Sequence, residues 1–287
     1  MRIRPVIATN FCQEALVVKY GMDKDKLADA LDGLPLGRWQ YISSVGSTND
    51  IAAEWIAQSA ADFCLVVADE QTRGRGRAGR TWFTPPGAAL AFSLTLLPQP
   101  EDNPDNLGMY AGLGALAVCA ALQQSCGLAA EIKWPNDVLL DGKKVCGVLV
   151  EVQWRGEVPH ALVLGIGLNI GAAAIPQAEG DLAFPASAVE VVLGRPVVRE
   201  QILRDILVQL DGWRQKMHSP AFINAWQKSL AFIGEEVEIV AGEQVKSRGI
   251  LQGLDHQGGL LLSDHGQETV IRSGEIHLRP LVDREQD

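Results

Sequence analysis

The spacing of apolar residues changes period several times along this chain, and each change predicts an element. Lys24–Leu31 repeats with a helical period. Trp39–Ser43 alternates as a short strand. A helix then opens at Ser47-Thr48-Asn49-Asp50, with Ile51 and Trp55 one turn apart. Ser47 and Asp50 have the spacing of a capping box, with Asp standing in the usual Glu place. Cys64–Ala68 and Ala88–Leu97 are continuous apolar runs of strand length, the second stopped by Pro98. Leu107–Leu122 is long, and rich in Ala and Gly, and predicts a buried helix. Ile132–Trp134, Val138–Leu140 and Val145–Val152 follow as strands. An Asp141-Gly142 pair between the last two gives a hairpin signal. Leu162–Ile170 is a further buried strand. Arg199–Met217 and Pro220–Leu230 return to helical spacing, with Trp213 and Trp226 as core anchors. Beyond Gly234 the texture shifts to four short runs between Gly and polar turns: Val237–Val240, Arg248–Leu254, Leu260–Leu262 and Thr269–Ile271. That pattern predicts a small β-barrel of about fifty residues.

Composition narrows the class. A chain of 287 residues with 47% hydrophobic and 21% charged positions can bury the core of about two domains. The predicted layout is an N-terminal arm of unassigned role (1–36), a main domain (37–231), a small terminal domain (232–283) and a short tail (284–287). No run reaches the ~20 apolar residues of a membrane span, and the first residues lack a signal-peptide core. The five cysteines (Cys12, Cys64, Cys119, Cys126, Cys146) form no CxxC pair, which suits a cytoplasmic protein. A net charge of −10 argues against nucleic acid as a general partner, so any anion site must be local.

Three segments carry candidate chemistry. Gln71-Thr72-Arg73-Gly74-Arg75-Gly76-Arg77-Ala78-Gly79-Arg80 puts four arginines in eight positions. They repel unless an anion lies among them, and the glycines let backbone N–H groups approach that anion. The same run could be a solvated basic loop or a contact to RNA. Lys133-Trp134-Pro135-Asn136-Asp137 sets polar groups between apolar runs, where they need partners. Lys144 follows seven residues after Asp137 and heads the strand Val145–Val152. Its neighbour Lys143 must face the other side of that strand. Gly165-Ile166-Gly167-Leu168-Asn169 places glycines inside a buried strand, a sign either of close ligand approach or of crowding under a helix.

Taken together, STN (47–49), EQTRGRGRAGRTWF (70–83), KWPND (133–137), the lysine at 144 and GIGLNI (165–170) resemble the biotin–protein ligase family, in order and in spacing. The likeness spans roughly Arg38 to Leu230, and the segment Gly274–Arg279 is similar to the end of that family's SH3-like barrel. The resemblance implies an α+β fold: a mixed sheet flanked by helices, related to class II aminoacyl-tRNA synthetases, plus a C-terminal SH3-like β-barrel. It implies ATP-dependent adenylation of biotin to biotinyl-5′-AMP, with Mg²⁺ on the ATP phosphates. Transfer to a lysine of a biotin carboxyl carrier protein follows. Lys144, Arg75, Arg77 and Asp137 are then the expected catalytic groups. Ser47, Thr48, Asn49, Gln71, Arg75, Gly76, Arg77, Lys144, Gly147 and Gly165 are the expected biotin contacts. Arg77, Trp82, Lys133, Asn136, Asn169 and Arg279 are expected near the nucleotide. Some members carry an N-terminal winged helix. With only ~36 residues ahead of the main domain here, no DNA partner is expected, and no membrane partner either. Family members are often dimers. Lipoate or octanoate transfer on the same fold is the nearest alternative, and non-enzymatic RNA binding through the Arg/Gly loop is the alternative from another class.

Overall fold

The computed structural model describes residues 21–58, 61–176, 185–241 and 244–272, together with the backbone of 276–280. Most of the predicted arm, and Cys12 with it, lies outside these residues. The chain forms α1 (Lys24–Leu31), β1 (Trp39–Val45), α2 (Thr48–Ala57), β2 (Cys64–Gln71), β3 (Ala89–Leu96), α3 (Met109–Cys126), β4 (Glu131–Lys133), β5 (Asp137–Leu140), β6 (Lys143–Arg155) and β7 (Val158–Asn169). It continues through α4 (Val189–Leu193), α5 (Arg199–Arg214) and α6 (Pro220–Lys228). Strands β8 (Glu236–Ala241), β9 (Gln244–Leu254), β10 (Leu260–Asp264), β11 (Gln267–Ile271) and β12 (Ile276–Pro280) complete it.

Seven strands make one mixed sheet in the order β1-β2-β3-β7-β6-β5-β4, with β1 and β2 parallel and the other pairs antiparallel. The mixed sheet and its flanking helices are the fold class that the sequence predicts. Side chains alternate across this sheet, and the two faces differ. Leu90, Phe92 and Leu94 of β3, with Leu164, Ile166 and Leu168 of β7, belong to the large core that also takes in α3. Helix α3 is apolar nearly all round because it lies between the sheet and α5. Twelve of its residues are buried, and it ends on the left-handed Gly127 (φ 69°). By length and composition α3 could cross a membrane, but about two-thirds of it is buried inside the fold.

The other face carries small or polar residues at most of the corresponding positions, Leu149 excepted. Ala91 pairs with Gly167, Ser93 with Gly165, Gly147 with Gly167 and Leu149 with Gly165. Helix α2 covers one end of this face, packing Ala52, Trp55 and Ile56 on Cys64, Val66, Ala161 and Val163. The glycine end stays uncovered.

The hairpin β5–β6 closes as the sequence predicts: Asp141 (φ 48°) and Gly142 (φ 68°) are both left-handed, as a tight two-residue turn requires. The C-terminal strands form a five-stranded antiparallel sheet, β11-β10-β9-β8-β12. Val237, Ile239, Leu251, Leu254, Leu260 and Leu262 of that sheet join the main core. Trp134 Nε1 donates to Gly258 O at 3.0 Å, and the Trp226 ring lies against Gly258, so two tryptophans fix this sheet to the larger unit.

Candidate active site

The uncovered glycines floor a cavity of about 850 Å³, within the usual range for small-molecule sites. None of Gly147, Gly165 and Gly167 needs a left-handed backbone, so their role is room. A methyl on Gly165 would collide with the Asn49 carboxamide, and one on Gly167 with the Trp82 indole. One on Gly147 would sit 3.1 Å from Trp82 Cζ3. The glycines thus make room for the chain's own Asn49 and Trp82, and at Gly165, under the start of α2, this is the second of the two explanations that the sequence allows.

At one end of the floor stands the start of α2. Ser47 is the N-cap in an extended conformation (φ −154°), but its side chain makes no capping bond. The predicted capping box is not formed, because Asp50 is drawn away to Arg75. Ser47, Thr48 and Asn49 are all buried and line the cavity. Gln71, at the end of β2, accepts from Thr48 N at 2.9 Å and donates to Thr84 Oγ1 at 3.2 Å. Asn49 Nδ2 donates to Glu151 Oε2 at 2.7 Å.

The arginine loop turns back over this end. Trp82 N donates to Gly74 O (2.9 Å) and Gly76 N to Arg80 O (2.7 Å), folding 74–82 into a compact flap. A single turn at Arg77–Gly79 needs left-handed Ala78 (φ 55°) and Gly79 (φ 73°). Arg75 reaches Asp50 Oδ1 at 2.6 Å and both oxygens of Glu151 at 3.2 Å. Partial burial lowers the Arg75 pKa, but these carboxylates outweigh it and hold the guanidinium more firmly charged than usual. Arg77 Nη1 donates to Asn136 Oδ1 at 3.2 Å. At Arg75 the chain itself supplies the anions that offset the charge, Asp50 and Glu151. Arg73 lies apart, exposed, its guanidinium against Gly46.

KWPND and Lys144 form the opposite wall. Asn136 Nδ2 donates to Val148 O (2.8 Å) and Val148 N to Asn136 O (2.9 Å), pinning the bend to β6. The Lys144 backbone is held by Pro185 O (2.7 Å) and Ser187 N (2.9 Å). Its amine enters the cavity 2.6 Å from Asp137 Oδ1 and 5.5 Å from the Trp82 ring centre. Lys143 points to solvent, as alternation requires. Asn169 lines the cavity and donates to Ser187 O at 3.0 Å.

Ser47, Thr48, Asn49, Gln71, Arg75, Gly76, Arg77, Trp82, Asn136, Asp137, Lys144, Gly147, Gly165 and Asn169 all face this one space. Lys133 does not: it is buried on β4, outside the lining. Arg279 lies on β12, paired in register with Glu238. Sequence reading missed Arg80, which lines the cavity, and Asp50, Ser93 and Glu151, which lie behind the lining residues. Ser93 and Glu151 did leave a trace. Each is a polar residue within an apolar strand, a position that calls for a partner.

Comparison with known proteins falls on the same segments. Residues 41–169 match the Biotin/lipoate A/B protein ligase family, and residues 232–279 match the Biotin protein ligase C terminal domain. The biotin–(acetyl-CoA-carboxylase) ligase of Paracoccus denitrificans is 34% identical over 240 residues, covering 82% of this chain and 98% of that protein. The enzyme of the same name from Mycobacterium tuberculosis is 30% identical, covering 90% and 96%. A solved structure of biotin protein ligase from Aquifex aeolicus, in complex with biotin and ATP, superposes with a TM-score of 0.74. It is 30% identical and covers 85% of this chain and 99% of that one.

Proposed function

This chain belongs to the biotin/lipoate A/B protein ligase family, and on that premise we propose that it is an ATP-dependent biotin–protein ligase acting on a biotin carboxyl carrier protein. The observation that carries the reading is that Lys144, Arg75 and Arg77, from distant parts of the chain, line one cavity with the polar start of α2.

The first step joins two anions. Biotin's carboxylate oxygen attacks the α-phosphorus of ATP, a new O–P bond forms, and pyrophosphate leaves with the electrons of the broken P–O bond. At ~4 Å two like charges repel by ~1 kcal/mol in water and several-fold more when shielded. Fixed cations cancel that repulsion and meet the charge that builds in the transition state. Lys144 bridges the carboxylate and α-phosphate, which requires its amine to leave Asp137. Arg75 and Arg77 hold the same oxygens from the flap side. Mg²⁺ brought with ATP would offset the charge of the triphosphate. Trp82, Asn136 and Asn169 border the nucleotide.

In the second step the carrier lysine's amine attacks the acyl carbon and AMP departs. Asp137, free once Lys144 has moved to the phosphate, accepts the amine's proton. Until the carrier arrives the flap excludes water from the mixed anhydride. Free buried thiols at Cys64, Cys119 and Cys146 suit the reducing cytoplasm, and the charge of −10 speaks against DNA as a partner. Among the described residues β1 pairs with β2 alone, and its other edge offers a pairing surface for a second copy.

The decisive experiment incubates the protein with ATP, Mg²⁺, biotin and a biotin carboxyl carrier domain, and weighs the carrier. A gain of one biotinyl group is expected; an unmodified carrier, with no biotin-dependent pyrophosphate exchange, refutes the proposal. In Arg77→Gly the adenylate should escape before transfer. Retention of labelled adenylate equal to that of the unaltered protein would count against the flap's role.

A further inference from the structure

Strand β3 sends one hydroxyl, Ser93, toward the start of α2. It is fully buried and does not line the cavity. Its oxygen lies 2.6 Å from Asn49 Oδ1 and 2.7 Å from Thr48 Oγ1, yet a serine has one proton to give.

Glu151 decides where that proton goes. A carboxylate only accepts, and Asn49 Nδ2 lies 2.7 Å from Glu151 Oε2, so the amide's N–H₂ end must face Glu151. Its oxygen therefore faces Ser93 and accepts the serine proton. The 2.7 Å contact between Ser93 and Thr48 must then be filled by the threonine's own proton. Thr48 Oγ1 also lies 3.1 Å from Gln71 Oε1, but a proton placed there would leave two facing lone pairs at the shorter contact. Gln71 Oε1 is already served by Thr48 N at 2.9 Å. The protons thus run one way, Thr48 to Ser93 to Asn49 to Glu151, and Thr48 turns lone pairs toward the cavity. Gln71 Oε1 adds another acceptor beside it.

We infer that Ser93 and Glu151, from behind the wall, make the inner end of the cavity an acceptor surface for a neutral head group bearing N–H donors, such as a cyclic urea. An acid whose head lacks them leaves buried acceptors unpaired and is refused. Both are positioning residues: Ser93 acts through Thr48 and Asn49, and Glu151 through Asn49 while also holding Arg75. The inference rests on the biotin-ligase reading and adds to it the source of selectivity.

The test measures acid-dependent pyrophosphate exchange by the full chain with three acids: biotin, desthiobiotin (same urea, no sulfur) and lipoate (no N–H donor). Ser93→Ala should raise KM for both ureas about tenfold. It should leave kcat and the KM for ATP within about twofold and leave lipoate unaffected, so that the biotin-to-lipoate preference narrows about tenfold. Glu151→Gln keeps the shape but can donate as well as accept, and should narrow the preference about threefold. If Ser93→Ala fails to fold, Glu151→Gln decides by the same ratio. An unchanged preference, or in Ser93→Ala an equal fall in kcat with all three acids, overturns the inference while the ligase reading stands. Absence of exchange with biotin in the unaltered protein defeats the ligase reading itself.

Discussion

Arg199 and Arg75 both meet carboxylates, in very different surroundings. Arg199 Nη1 lies 2.8 Å from Asp69 Oδ1 and 3.0 Å from Ala89 O, with side-chain exposures of 9% for the arginine and 2% for the aspartate. Asp69 also accepts from Met22 N at 3.0 Å and from the Tyr41 hydroxyl, so its oxygens are crowded with donors. This cluster ties the approach to α1, β1, β2 and α5 together, and none of its side chains lines the cavity. Arg75, by contrast, is 39% exposed and its partner Asp50 42%. It borders a cavity, and water or a substrate anion can replace its carboxylates at small cost. Both are ion pairs, but one is a lock and the other a placeholder. Burial and access separate structural charge from working charge, more than charge itself does.

The sharpest way to break that distinction is Asp69→Ala. Stranding a buried guanidinium should lower stability by about 3–5 kcal/mol, read by chemical denaturation, with kcat per folded molecule unchanged. A mild loss would mean that the cluster is no lock. Lys144→Ala makes the converse case. Biotin-dependent pyrophosphate exchange should fall by about 10²–10³-fold while the unfolding midpoint holds. Normal exchange would remove Lys144 from the chemistry. Gly167→Ala comes next. The added methyl collides with the Trp82 indole, so the ring must leave the floor, and KM for ATP should rise roughly tenfold. Unaltered KM with altered Trp82 emission would separate the ring from the nucleotide.

A smaller effect follows from Tyr41. Burial first, then the bond to Asp69, raises its hydroxyl pKa well above the ordinary value. A raised folded pKa favours the fold while the unfolded tyrosine keeps its proton. That contribution fades as pH climbs past the ordinary tyrosine pKa of about 10. Tyr41→Phe should flatten the alkaline slope of stability, and an identical slope would count against this origin.

Much of this contrast was legible beforehand, and the remainder shows where reading from sequence stops. Periodicity located the large strands and helices because each buries a whole face, so pattern and structure share one cause. The β5–β6 turn was equally plain, since Asp141-Gly142 suits two left-handed residues in succession. The five-residue α4 escaped, being too short to show a period; β12, with His277, Arg279 and Pro280 among its five residues, showed none either and was marked only by the family resemblance of Gly274–Arg279. For the site, glycines and arginines announced themselves by composition. Asp50, Ser93 and Glu151 did not, because each matters through a partner brought near by folding: Asp50 through Arg75, Ser93 through Asn49, and Glu151 through both. The Ser47–Asp50 spacing pointed to a capping box, and a tertiary partner, Arg75, took the carboxylate instead.

The smallest effect tests the placeholder idea most directly. Asp50 neutralises Arg75 from the solvent side, 2.6 Å from Nη1, in a pair too exposed to contribute more than about 1 kcal/mol. Asp50→Asn keeps the shape and removes the charge, so stability should move by less than ~0.5 kcal/mol. Binding should improve, because Arg75 no longer gives up a carboxylate to meet an incoming anion. KM for biotin is expected to fall about two- to threefold at low ionic strength, less than the full worth of the pair since Glu151 remains. At 1 M salt the Debye length shrinks to about 3 Å, and the difference between Asp50→Asn and the unaltered chain should largely vanish. A KM that rises would mean that Asp50 aims Arg75 at the substrate. Arg75 would then resemble Arg199, held in place by its carboxylates, and the contrast between the two clusters would fail.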